Sequence, residues 1–246
     1  MNELTIVIPT SPIPSHPDTA ILAETLDSVR HHLPAAEIIV MFDGVRTEQE
    51  DMRADYVEFT RQALWLLDKR YKPAVPILCG THQHQTGMMR AALVEIRTDL
   101  LMFVEHDTPL TDGFIDWDGI TDFVVGGGSH LVRFYHEAVL QPAHTHMQHG
   151  TEHGHYQRTS QWSQRPHVAA TEFYRRIMDT CFTSGSKSFI EDKMHGVCDE
   201  AFKLGGMDGL DDYRLHIYTP DGDSIQRSSH SDGRAGGAKF DDSQTF

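Results

Sequence analysis

The 246-residue chain has only three cysteines, Cys79, Cys181 and Cys198, and no two of them are closely spaced. An odd, scattered set supports neither a disulfide framework nor a thiolate zinc site, and suits a reducing compartment. Basic residues are also scarce, with 21 Lys and Arg against 36 Asp and Glu, a formal net charge of −15. Phosphate affinity is supplied mainly by Lys and Arg, so this balance argues against a non-specific polyanion binder. No apolar run approaches the roughly 20 residues of a membrane span. The start of the chain passes directly into a strand-like run without the pattern of a signal peptide. The expectation is a cytoplasmic protein with no membrane partner.

What the chain does have is 39% hydrophobic and 23% charged residues, the composition of a soluble globular domain with a sizeable core. Residues 4–8 form a β-branched run that reads as a buried strand, and the turn-rich segment 10–17 follows. Asp18 or Thr19 then caps a helix with Ile21, Leu22, Thr25, Leu26 and Val29 on one face. Strands are expected at 37–42, 75–78 and 100–104, and helices at 48–72 and 87–97. This alternation predicts an α/β fold, a Rossmann-like, mostly parallel sheet flanked by helices. Ligands of such sheets bind outside the carboxyl ends of the strands. Those ends carry Thr10-Ser11, Asp43-Gly44 and Glu105-His106-Asp107.

A single domain over 1–246 is expected, with Gly126-Gly127-Gly128 as the clearest internal boundary. Residues 1–128 hold most of the acidic excess. Residues 129–218 hold most of the histidines and read as an irregular acceptor-side half. From 219 the chain is rich in Gly, Ser and Asp, and a flexible loop or tail is expected to 246.

Glu105 and Asp107 are two residues apart beyond an apolar strand, so on an extended chain they point the same way toward one hard cation and a diphosphate. An isolated acidic pair is as often a solvated strand end. Phe189-Ile190-Glu191-Asp192-Lys193-Met194 places two acids at a helix start, where the dipole alone also favours them.

Taken together, Thr5-Ile6-Val7-Ile8-Pro9-Thr10, Asp43, Gly87-Met88-Met89-Arg90-Ala91-Ala92-Leu93, the Glu105-Asp107 pair and the Glu191-Asp192 pair resemble the A-type nucleotide-sugar glycosyltransferases, especially the small inverting ones. Residues 1 to about 110 follow that family's order and spacing. The resemblance implies a metal-dependent enzyme taking a nucleotide sugar, a UDP-sugar first of all, with residues 1–128 as the nucleotide-sugar-binding half. It assigns Thr10, Ser11, Asp43, Arg90 and Glu105 to the donor, and Asp107 with Glu105 to Mn²⁺ or Mg²⁺. Asp192, with Glu191 beside it, takes the catalytic role, since a positioned carboxylate must remove the acceptor proton. In place of the family's first Asp this chain has Glu105, one methylene longer. His230 is implied as a further metal ligand, and Arg227 and Arg234 as donor-diphosphate contacts.

The stretch Gln161-Trp162-Ser163-Gln164-Arg165-Pro166-His167 combines an aromatic face, amides and a fixed cation suited to stacking on and hydrogen-bonding a sugar or base, with Trp162, Arg165 and His167 as the acceptor contacts, or else is a buried Trp with a turn at Pro166. The acceptor is expected to be a glycan, a small molecule or a 5-hydroxymethylpyrimidine in phage-type viral DNA. The last requires Arg158, Arg165, Arg175, Arg176 and Lys187 to cluster. His144, His146, His149, His153 and His155 form either a borderline-metal site or, with Gly150 and Gly154 beside them, an exposed acceptor or lid loop. A nucleotidyltransferase fits less well, because the Pro-rich segment 9–17 is a poor phosphate loop. A non-catalytic metal-binding protein leaves the strand-end polar residues unexplained.

Overall fold

The computed structural model describes residues 4–135, 142–152, 154–220 and 225–231. Strand β1 (Leu4–Thr10) is buried along its whole length. It leads through the Pro-rich turn to helix α1 (Ala20–His32), where Asp18 Oδ1 accepts from Ala20 N at 2.8 Å. Next come β2 (Glu37–Phe42), a 3₁₀ turn (Thr47–Met52), α2 (Arg53–Arg70), β3 (Ala74–Leu78), α3 (His84–Glu95), β4 (Leu100–Phe103) and α4 (Trp117–Val125). Then follow β5 (Leu131–Arg133), a 3₁₀ turn (Pro142–Met147), β6 (Gln148–Glu152), β7 (Tyr156–Thr159), β8 (His167–Ala170), α5 (Thr171–Cys181), α6 (Ile190–Gly209) and β9 (Leu215–Tyr218).

The described strands form one nine-stranded sheet in the order β3-β2-β1-β4-β8-β5-β9-β7-β6. Its first four strands are parallel, as the alternation requires. β8 then inserts antiparallel between β4 and β5, and β6 and β7 add an antiparallel edge. The expected mostly parallel, helix-flanked sheet is therefore present, with its parallel strands on one side and antiparallel strands added on the other. The expected irregular half contributes five strands. They are short and rich in His, Gln, Thr and Arg, so they lack the apolar runs that made β1, β2 and β4 legible.

Two apolar layers cover the two faces. Ile6, Ile8, Val40 and Met102 pack with Leu22, Leu26, Phe59 and Ile120, from α1, α2 and α4. Val7, Ile39, Met41, Leu101 and Phe103 pack with Met89, Phe173 and Met194, from α3, α5 and α6. The period-2 split of each central strand places both layers. β1 continues past Ile8 because Pro9 lies beyond the last residue paired with β4, where the missing N–H costs no ladder bond on that side.

Residues 225–231, expected to be part of a flexible tail, lie against 107–111. Ser231 N donates to Asp107 O at 2.7 Å, Ser229 N to Pro109 O at 2.9 Å, and Thr111 N to Arg227 O at 3.1 Å. No helix among the described residues is long and apolar enough to cross a membrane.

Candidate active site

A cavity of about 490 Å³ opens at the carboxyl ends of the parallel strands. Thr10 and Ser11 line it from β1, Asp43 from β2, and Glu105 and Asp107 from the segment after β4. The opposite wall holds Ser163, Gln164, Arg165 and Glu191, and His230 arrives with the docked segment 225–231. Tertiary structure thus brings together eight of the residues singled out in the sequence.

Asp43 is 4% exposed and holds the loop before α3. Its Oδ1 accepts from Gly44 N at 2.8 Å and from Gln83 N at 2.6 Å, and its Oδ2 accepts from His84 N at 2.9 Å. His82 Nδ1 stands 2.9 Å from Oδ2. A carboxylate has about four acceptor positions, so the implied hydrogen bond from a nucleobase competes with donors of the chain itself. His84 is held with φ at +59°, a left-handed backbone unusual for a residue with a side chain, and its ring stands edge-on to Phe189 at 4.5 Å. α3 begins at His84, earlier than the spacing predicted, because Asp43 Oδ2 and His84 Nδ1 take the first two helix N–H groups.

Gln85, buried in the next position, joins the two acidic parts of the site. Its Nε2 donates to Glu105 Oε1 at 3.1 Å, and its Oε1 accepts from Ile190 N at 2.8 Å, at the start of α6. Thr86 adds a bond from its Oγ1 to Ser186 O at 2.7 Å. The site's third acid, Glu191, is delivered by this clamp. Its Oε2 accepts from Gln164 N at 3.2 Å.

Burial, followed by the charges of Asp107 and Glu191, raises the Glu105 carboxyl well above the usual range. Burial also raises Glu191, against the opposing pull of its bond from Gln164 and of Arg133 and Arg165. Glu105, Asp107 and Glu191, with Asp43 as a fourth acid on the cavity wall, are met by only two arginines of the lining, Arg46 and Arg165, which leaves the site suited to a cationic ligand. Asp107 Oδ2 and His230 Nε2 are 3.5 Å apart, one hard and one borderline donor. Among the described residues no three His, Cys, Asp or Glu side chains are grouped to hold a metal. Two protein donors fit Mg²⁺ or Mn²⁺, which complete their shells with phosphate oxygens and water.

Several expectations need correction. Asp192 is exposed on the first turn of α6 and does not line the cavity, because Glu191 is the member of the pair turned inward. Trp162 is 1% exposed with Nε1 bonded to Gln164 Oε1 at 3.1 Å, so it presents no free face to an acceptor. His167 is fully buried between Arg165 O at 2.8 Å and Tyr174 OH at 2.6 Å. Arg90 is turned away from the cavity, bonding Phe182 O at 2.9 Å and also Met178 O. Arg227 is 4% exposed, bonding Phe114 O at 3.1 Å and Ile225 O at 2.8 Å. Arg234 and His153 lie outside the described residues. The remaining histidines of the 144–155 stretch form no metal group: His149 stacks on Phe202 at 4.1 Å, and His144 Nδ1 is 3.0 Å from Tyr135 OH.

Sequence reasoning missed Gln85, His84 and Phe189 as lining residues, whereas the amide of Gln164 belongs to the stretch 161–167 singled out for sugar contacts and does line the cavity. A glutamine beside a glycine-containing helix start carries no motif, and its role depends on partners about a hundred residues away in the chain.

The α/β fold, with its helix-flanked mixed sheet, matches solved structures of the A-type glycosyltransferase fold. Among solved structures, S. aureus TarS residues 1–349 in complex with UDP-GlcNAc matches 96% of this chain at 12% identity with a TM-score of 0.57. GalNAc-T7 with UDP, GalNAc and Mn²⁺ matches 94% of this chain at 12% identity with a TM-score of 0.54. The matched regions amount to 60% and 44% of those two chains, so this chain accounts for well under two thirds of either. No protein-family model matches the sequence, and no curated protein is matched.

Proposed function

We propose that this chain is a metal-dependent, inverting glycosyltransferase that moves a sugar from a nucleotide diphosphate sugar, of the uridine class, to a hydroxyl of a glycan or small molecule. The observation that carries this reading is the presence of Glu191 and the strand-end acids Glu105 and Asp107 in one cavity, at the sheet edge where this fold binds ligands. The UDP ligands of the matched TarS and GalNAc-T7 structures support the choice of donor class.

Thr10 and Ser11 border the nucleotide end of the cavity. Asp107 and His230, with Glu105 adjacent, would hold the divalent ion, which when bound offsets charge developing on the leaving diphosphate. Glu191 is the base. Its burial keeps it from being spent on bulk water, and its inward orientation lets it take the acceptor proton as the new glycosidic bond forms. Arg165, its guanidinium 4.7 Å over the Tyr135 ring, contributes positive charge on the same wall.

Duplex DNA is the weaker acceptor. The chain's net charge of −15 disfavours it, and three of the arginines it would need are each committed to a backbone carbonyl: Arg158 to Leu210 O, Arg175 to Ile96 O and Arg176 to Asp212 O. The test is a screen of UDP- and GDP-sugars with Mn²⁺, reading hydrolysis without acceptor and transfer to glycans, small alcohols and duplexes containing 5-hydroxymethylcytosine. Metal-stimulated turnover of one donor is expected. No turnover of any nucleotide sugar would overturn the reading, and transfer confined to DNA would overturn the acceptor class.

A further inference from the structure

Gln164 lines the cavity yet is only 4% exposed, and its amide is asymmetrically used. Oε1 accepts from Trp162 Nε1 at 3.1 Å, whereas Nε2 is buried with no hydrogen-bond partner among the described residues. An amide can ordinarily be turned over with little change in shape, so its orientation has to come from its neighbours. Here the neighbour decides: an indole N–H only donates, so the oxygen must face Trp162 and the NH₂ group must face away. A buried donor left unmatched is costly, on the order of 1–3 kcal/mol, and folded chains rarely keep one without a use.

The same residue's backbone N–H holds Glu191 Oε2 at 3.2 Å. The unmatched NH₂ therefore belongs to the residue whose backbone N–H holds the proposed base across from the start of α6. We propose that Gln164 Nε2 is a specificity-determining donor that reads a sugar hydroxyl oxygen beside Glu191, with Trp162 as the residue that positions it. This rests on the glycosyltransferase reading and extends it. The ligand atom must be a lone-pair oxygen, so a hydroxyl fits and a deoxy position or an ammonium group does not. It also gives the buried Trp162 a part in the site that does not require contact with substrate.

The experiment uses the full chain and the donor found in the screen, with two series of deoxy analogues, one of the transferred sugar and one of the acceptor. In the wild type, one deoxy position should lower kcat/KM by at least about tenfold, because a site built to bond a hydroxyl rejects the analogue that lacks it. Gln164→Met, nearly the same shape with no donor, should lower kcat/KM for the natural substrate by a similar factor and be indifferent to that deoxy position. The series in which this coupling occurs identifies the reading as one of donor or of acceptor. Trp162→Phe, which leaves the amide free to turn, should show an intermediate discrimination with Gln164 unchanged. Circular dichroism and urea melts at assay temperature establish that each variant is folded. Should Gln164→Met misfold, Gln164→Leu, which also lacks the donor, takes its place, and the same loss of discrimination is expected.

An active wild type whose discrimination among all deoxy analogues survives in both Gln164 variants would overturn the inference and leave the glycosyltransferase reading standing. A wild type inactive on every nucleotide sugar would instead overturn the reading on which it rests.

Discussion

Asp107 Oδ2 lies 3.5 Å from His230 Nε2, although one residue stands near the middle of the chain and the other near its C-terminal end. The approach is built by backbone pairing: Ser231 N bonds Asp107 O, so the docked segment carries His230 to the edge of the strand-end acids. Asp107→Asn and His230→Ala should each weaken Mn²⁺-dependent UDP binding by roughly tenfold or more, about 1.4 kcal/mol. Titration calorimetry with UDP, with and without Mn²⁺, reads this directly. Affinities equal to wild type in both variants would remove the metal assignment.

Glu191 and Asp192 are neighbours with opposite environments, one on the cavity wall and one in solvent. Glu191→Gln should lower kcat by roughly 10² to 10⁴, the range for loss of a general base, with donor affinity retained. Asp192→Asn should stay within about threefold of wild type by comparison with such effects. The reverse ranking under saturating donor would return the base to Asp192.

As the proposed base, the same carboxyl should set a pH limit on turnover. Burial raises Glu191 in the folded protein, and a base works only when ionised, so the fall in activity on acidification should begin above the ordinary glutamate value of about 4.3. A kcat profile that stays flat down to that value would contradict the buried-base assignment.

Trp162 packs against Phe173 and Tyr174, with ring centroids 6.0 Å away in both cases. Trp162→Ala should cost about 3–5 kcal/mol of stability, the usual range for deleting a buried aromatic side chain. Urea denaturation checks it. A loss below about 1 kcal/mol would mean that the ring is not a core element.

His167 is held neutral by burial, which lowers its pKa from 6.5 to about 4. Below pH 6.5 the unfolded chain takes a proton that the folded chain refuses. Stability should therefore fall as pH drops from 6.5 toward 4, at up to about 1.4 kcal/mol per pH unit for this group. His16, lowered to about 3 by burial and by the nearby His106, acts in the same direction. His167→Gln should flatten the decline between pH 6.5 and pH 5 in urea melts. An unchanged slope would show that His167 is not responsible.

The parallel half of the sheet was legible because β1, β2 and β4 are buried on both faces and so read as continuous apolar runs, punctuated by Pro9, Asp43 and the acids after Phe103. The carboxyl ends of those strands follow from the alternation, and with them the places of Thr10, Asp43, Glu105 and Asp107. The antiparallel half was not legible, because residues such as Gln148, Gln157 and His216 leave no period for a local pattern to show.

Local sequence thus determined which residues stand at the ends of the central strands, since burial dictates apolar runs and the polar residues that end them. Tertiary structure alone decided which of two adjacent acids turns inward, that Trp162 is buried, and that Gln85 and Gln164 line the strand-end cavity. Those outcomes depend on hydrogen bonds such as Gln85 Oε1 to Ile190 N, whose partners are far apart in the chain. Short-range spacing carries no record of such pairings, because they form only when the sheet brings its strand ends together.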